Sequence, residues 1–225
     1  LSRRLKAEDG AGGREALSRA GEISLALTIP CAVALVIIPL PIVSVLFQRG
    51  ATGADDAAAI AVAVAIYGLG LPAFVLQKVL QPVFFAREDT RSPFRYAVVA
   101  MVVNAVVAVG LAPFIGWAAP AIATTTAGWI MVAQLAFGGR RFGTVARFDD
   151  RFRRRLWRIC LASAIMGAAL WATQIPLSVP LALPGWRYGA LALLILAGIV
   201  VYGLAGHLLH AFRLAELRSA FSRRG

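Results

Sequence analysis

Residues 57–86 read AAAIAVAVAIYGLGLPAFVLQKVLQPVFFA, thirty residues in which Lys78 is the only charge. A bilayer-spanning helix needs about 20 predominantly apolar residues. The stretch has no polar–apolar alternation and is about three times the length of a barrel strand. In hydrocarbon only helices and closed barrels satisfy their own backbone groups, so residues 57–86 predict a transmembrane helix. Outward from it, five more apolar runs cover residues 23–47, 96–114, 117–137, 159–177 and 188–212. The expected fold is all-α: a polytopic membrane protein of six transmembrane helices.

Composition agrees. Of the 225 residues 60% are hydrophobic and 15% charged, against about 25% charged in a soluble domain, and mean hydropathy is +0.76. A soluble enzyme, a disordered tail and a secreted disulfide scaffold are excluded. The net charge of +12 would suggest nucleic acid in a soluble chain. Here the basic residues lie between apolar runs and follow the positive-inside pattern, so no nucleic-acid partner is expected. Cys31 and Cys160 both sit in apolar runs without metal-ligand spacing and read as small buried hydrophobes. The chain opens at Leu1 without a signal peptide, and is expected to begin partway through a longer protein.

The connectors set an orientation. Of 23 Lys and Arg, twenty fall before the first span, between spans two and three, between four and five, and after six. The alternate connectors hold only Arg49 and Arg187, with Lys78 inside a span. Both ends are therefore expected in the cytoplasm. The layout is a cytoplasmic segment 1–22, four spans within 23–137, a basic cytoplasmic loop 138–158, two spans within 159–212 and a basic tail 213–225. In the loop, Phe142, Phe148, Phe152 and Trp157 interleave with arginines. An interfacial amphipathic helix is one reading; a charge cluster that only fixes topology is preferred. The apolar stretch QIPLSVPLALPGWR holds three prolines and cannot be one regular helix.

Few residues offer chemistry. The spans lack interior Asp and Glu, and no Walker, GxSxG or HExxH pattern occurs. No catalytic group, metal set or cofactor is expected. His207 and His210 share a helix face but lack a third ligand, and read as interfacial polar residues. Lys78 is the one cation within a span; it either faces a cavity or snorkels toward the interface, and Gln81 shares its face at i+3. Pro30, Pro39, Pro72 and Pro82 fall inside spans, and GLGLP at 68–72 marks an expected bend. Asn104 with Thr124, Thr125 and Thr126 has oxygens for a cation, but without a carboxylate. Interhelical hydrogen bonding is the preferred reading.

The motifs spread over residues 67–95 resemble the MurJ/MviN family of lipid II flippases. Gly70-Leu71-Pro72, Lys78-Val79-Leu80, Pro82, Phe84-Phe85-Ala86 and Asp89-Thr90-Arg91-Ser92-Pro93 match the family's spaced signature in order. Leu1-Ser2-Arg3, Ile29-Pro30 and Leu46-Phe47-Gln48-Arg49-Gly50 agree as well. The resemblance covers about residues 1–140; the last two spans agree only in position and hydrophobicity. It implies the C-terminal six helices of a fourteen-helix, two-lobe transporter of the multidrug/oligosaccharidyl-lipid/polysaccharide exporter superfamily, in the bacterial inner membrane. The implied partners are a lipid-linked peptidoglycan precursor, membrane lipids and the upstream half of the same polypeptide.

The implied activity is alternating-access movement of lipid II for cell wall synthesis. Lys78 and Gln81 are the substrate-facing candidates, and Arg87, Asp89 and Arg91 form a cytoplasmic gate. Asn104 and Thr125 make a weak cation site. Asp89-Thr90 either caps the next helix or latches onto an arginine; capping is preferred because Pro93 then falls in the first turn. The last two spans imply a lipid-facing groove. The alternatives are a non-transporting membrane module and an exporter of another lipid-linked oligosaccharide.

Overall fold

Residues 10–48, 53–146, 148–183 and 185–210 are described by a computed structural model. The tail 213–225, the opening Leu1-Ser2-Arg3 and Arg49 lie outside the described residues. The helices in chain order are α1 (Gly10–Ile37), α2 (Pro39–Phe47), α3 (Ala54–Phe85), α4 (Arg91–Ile115), α5 (Ala119–Gly139), α6 (Asp150–Gln174), α7 (Ser178–Ala182) and α8 (Trp186–Leu208). A single 3₁₀ turn at Gly116–Ala118 follows α4, and a 3₁₀ segment at Arg140–Ala146, kinked at Gly143, follows α5. Among the described residues there is no strand.

Five helical runs are long and apolar enough to cross a membrane, and one of them, Arg91–Gly143, contains both α4 and α5. The six expected spans are thus α1–α2, α3, α4, α5, α6 and α8. The fifth span starts earlier than its apolar run, because residues 150–158 of the basic stretch already form the first turns of α6. The three-proline stretch breaks into the short α7 and its flanking turns.

Prolines act unequally. At Pro39 the first span breaks: Ile38 adopts φ −122, ψ 42, and Pro39 opens α2 at its first turn, where the missing N–H costs nothing. The expected bend at GLGLP does not interrupt α3, which runs from Ala54 through Pro72 and Pro82 to Phe85. Pro72 leaves the Gly68 carbonyl without its i+4 donor. Near this gap α5 adds two bonds to α3, Thr125 Oγ1 donating to Ile66 O at 3.0 Å and Trp129 Nε1 to Leu69 O at 3.1 Å.

The chain forms two compact units, Leu1–Thr28 with Ile66–Arg153, and Ile29–Ala65 with Arg154–Gly225. In the first, Leu17, Val79, Leu80, Val83, Phe84 and Leu135 make the buried core, with Tyr96, Phe142 and Phe148 packed on it. Small residues let its helices approach. A Cβ on Gly70 would fall 2.9 Å from Thr125 Oγ1 and 3.0 Å from Phe74 Cζ; one on Gly128 would fall 2.7 Å from Phe74 Cε1. The Phe74 ring is therefore clamped between α3 and α5, the close approach expected of small residues at membrane helix interfaces. In the second unit Ile38, Met166, Leu170 and Leu194 form one core cluster, and Val43, Ala57 and Ala61 another. Large apolar side chains stay exposed along the outer face of α4, Met101 at 64% and Val109 at 74%, which suits a hydrocarbon solvent rather than water.

Candidate functional site

The turn between α3 and α4 is built from local backbone rules. The Asp89 amide donates to Phe84 O at 3.1 Å and the Glu88 amide to Phe85 O at 3.1 Å, the paired bonds of a Schellman helix end. Glu88 takes the left-handed position at φ 58 that glycine usually fills. This turn aims Asp89 at the next helix, where its Oδ1 accepts the Ser92 amide at 3.1 Å. Thr90 occupies the cap position without a side-chain cap bond, so Asp89 alone does the capping.

Asp89 is an ion-pair partner as well as a cap. Its other oxygen, Oδ2, forms an ion pair with the Arg141 guanidinium, and Arg141 Nη2 also donates to Ser92 Oγ at 2.7 Å. The guanidinium lies 5.7 Å from the Phe84 ring centroid and 4.8 Å from that of Phe142, within cation–π range. Desolvation pushes the Asp89 carboxyl up, but the Ser92 hydrogen bonds, the Arg141 charge and the Arg91 amide outweigh it and hold the group below its ordinary value. Arg87 and Arg91, the two arginines expected at this gate, are both exposed. Arg141 was legible only as one of eight arginines in the basic stretch; its place opposite Asp89 is a long-range result of α4 folding back onto α5.

Lys78 stands two turns before the end of α3, about 10 Å along the axis. At 100° per residue it leaves the helix about 160° from Leu80, which is buried in the core. Lys78 is exposed and Gln81 half-buried. Gln77, one residue earlier, points to α5 and donates to Gly128 O at 3.0 Å.

Asn104 and Thr125 are not brought together. Asn104 Nδ2 donates to Thr124 Oγ1 at 3.1 Å, whereas Thr125 donates to the Ile66 carbonyl of α3. Both take the interhelical bonds that were the preferred reading. A groove of about 480 Å³ beside them is lined by Phe74, Gln77, Ala97, Met101, Asn104 and Thr124 among others, so its amide and hydroxyl groups stand in an otherwise apolar wall. Among the described residues no cluster of three or more His, Cys, Asp or Glu gathers to hold a metal. His207 ends α8, and Arg158 Nη1 donates to the His210 carbonyl at 3.4 Å.

Part of the basic stretch is packed onto α1 as well. Phe148 and Phe152 stack with centroids 4.0 Å apart and 12° between planes, and a Cβ on Gly21 of α1 would fall 2.8 Å from Phe152 Cε2. Asp149 donates its amide to Ser18 Oγ at 3.1 Å and accepts the Phe152 amide at 2.7 Å, the latter capping α6. Arg14 Nη2 donates to Phe148 O at 3.3 Å, and Arg151 Nε lies 3.8 Å from the buried Glu22. Of the aromatics that interleave with arginine, Phe148 and Phe152 are anchors onto α1 and Phe142 packs edge-on against Phe84 of α3, whereas Trp157 is 61% exposed.

Six long apolar helices, most of whose outer side chains suit hydrocarbon, define a multi-pass α-helical membrane protein. Residues 1–197 match the family model described as "Lipid II flippase MurJ", and the chain belongs to that family. Over its full length it is 34% identical to a probable lipid II flippase MurJ of Rhizobium tropici, covering 42% of that protein. Over 90% of its length it is 38% identical to the probable lipid II flippase MurJ of Rhizobium meliloti strain 1021, covering 39% of it. A solved structure titled "Lipid II flippase MurJ, inward closed conformation" shares the fold, with a TM-score of 0.74 and 24% identity over 93% of this chain and 42% of that one. The chain spans about two fifths of the length of the relatives it matches.

Proposed function

We propose that this chain supplies six spans of a flippase that carries lipid-linked peptidoglycan precursor, lipid II, across the bacterial inner membrane by alternating access. The observation that carries the reading is Lys78. It is a cation exposed on a hydrocarbon-length helix in a chain of the flippase family. A charge in that position costs several kcal/mol, which a partner offsets. The pyrophosphate of lipid II is such a partner, while the precursor's polyprenyl tail remains in lipid. Gln81, on the same face, is placed to donate to the same head group.

In this reading the protein moves its substrate without making or breaking a bond. Asp89, with Arg87 and Arg91 beside it, works at the cytoplasmic end, closing there in one state and releasing in the other. Both ends of the segment lie in the cytoplasm, as the charge distribution implies. Asn104 spends its Nδ2 on Thr124 and keeps its Oδ1, while Thr125 bonds α3, so the two do not face one cation together.

The test is Lys78→Ala in the full-length protein, read as precursor reaching the outer leaflet. Export falls about ten- to a hundredfold, the loss expected for a hydrogen bond to a charged group, with protein level unchanged. Normal export by the variant refutes the assignment of Lys78.

A further inference from the structure

The second unit contains a cleft of about 910 Å³ that none of the preceding functions uses. Its apolar wall includes Leu40 of α2, Ala58 of α3 and Leu181 of α7, and its polar side carries Gln48, Gln174 and Arg187. Arg187 is half-buried. Its Nη1 donates to Gln48 O at 3.4 Å and its Nη2 to Tyr188 Oη at 3.2 Å, while the guanidinium lies 5.2 Å from the Tyr188 ring centroid. Its Nε is buried and has no hydrogen-bond partner among the described residues. None of the described residues lining the cleft is acidic. Asp55 and Asp56 on the first turn of α3 are exposed, and Asp56 Oδ2 is turned back to the Gly53 amide at 3.0 Å.

A half-buried guanidinium that lines a cleft with no carboxylate among its described residues favours an anion there. Topology does not explain its presence, since Arg187 lies on the set of connectors from which basic residues are otherwise depleted. The adjacent Trp186 is 73% exposed and Tyr188 is exposed too. Paired aromatics of this kind sit at the headgroup level of a bilayer, which sets the depth of the guanidinium. Phosphate matches the fork of arginine donors, and an apolar wall beside it fits an acyl chain.

We propose that this cleft binds an anionic phospholipid, its phosphate on Arg187 and one acyl chain against Leu40, Ala58 and Leu181. The site is independent of precursor transport, so its test reads binding alone. The full-length protein in detergent is titrated with phosphatidylglycerol, phosphatidylcholine and inorganic phosphate, and lipid retention is read by native mass spectrometry. Phosphatidylglycerol is retained in preference to phosphatidylcholine, and Arg187→Gln weakens that retention about tenfold while Arg187→Lys weakens it less. Ala58→Trp fills the apolar wall, leaves the guanidinium in place and also lowers retention, so it decides the matter alone if Arg187→Gln does not fold. Equal retention of the two lipids, or unchanged retention in both variants, overturns the proposal. Displacement of phosphatidylglycerol by millimolar inorganic phosphate overturns it too, because the site then reads a free anion and not a lipid.

Discussion

Two cations of the first unit, Arg141 and Lys78, differ in what their surroundings do for them. Arg141 gives donors to Asp89 and Ser92 and lies beside two aromatic rings. Lys78, two turns before the end of α3, makes no hydrogen bond or ion pair among the described residues, and is exposed on an apolar helix. The first charge is spent on holding α3, α4 and the end of α5 together. The second contributes nothing to that packing, and a membrane helix retains such a charge at a cost. The difference separates a residue that holds the fold from one available to a ligand.

The largest expected effect breaks the comparison if it is wrong. Lys78→Ala is expected to cut export ten- to a hundredfold while leaving the melting temperature of the purified protein unchanged. Arg141→Ala is expected to do the reverse: a lowered melting temperature, since Asp89 and the Ser92 hydroxyl lose a shared partner, with a smaller loss of export. Thermal unfolding in detergent and an outer-leaflet precursor assay on both variants decide it. Equal destabilisation by the two substitutions removes the distinction.

A second test concerns the packing on which Lys78 stands. Gly128→Leu places its Cβ 2.7 Å from a Phe74 ring that also lies against Gly70, so the ring has to shift toward the groove it lines. Overpacking of this kind costs about 1–3 kcal/mol, and the Gln77–Gly128 bond is strained with it. Denaturation of the variant by heat or by a denaturing detergent measures the loss. Unchanged stability means that α3 and α5 pack less closely than described.

What was legible in the sequence follows from the range of each interaction. The spans are legible because hydropathy is a local sum, and the Asp89–Ser92 cap because it lies within one turn. Arg141 is not, because nothing local distinguishes it from seven other arginines in residues 140–158, and 52 positions separate it from Asp89. Phe148 and Phe152 look like an interfacial face until Gly21 of α1 is seen to receive them. Prolines are not told apart locally either: Pro39 breaks its helix, whereas Pro30, Pro72, Pro82 and Pro113 lie inside helices that continue through them.

A smaller effect sharpens the geometry of the turn. Glu88 holds a left-handed conformation at φ 58, which costs a side-chain-bearing residue about 1–2 kcal/mol relative to glycine. Glu88→Gly is expected to raise stability by about 1 kcal/mol while keeping the Asp89–Arg141 pair. A fall in melting temperature instead means that the Glu88 side chain itself supports the turn.

The smallest effect is the pH dependence of that pair. Asp89 is more acidic folded than unfolded, its ordinary value being 3.8. The folded state therefore binds its proton less readily than the unfolded chain, and acid favours unfolding. The contribution of Asp89 is fully present above 3.8 and is lost as pH falls through the lower folded value. Arg141 is half exposed, so the contribution stays below about 1 kcal/mol and is screened by salt. Melting temperatures of the protein and of Asp89→Asn are thus expected to run parallel between about pH 5 and 8 and to converge below pH 4. Curves that stay apart below pH 4 mean that the carboxylate does not act through its charge.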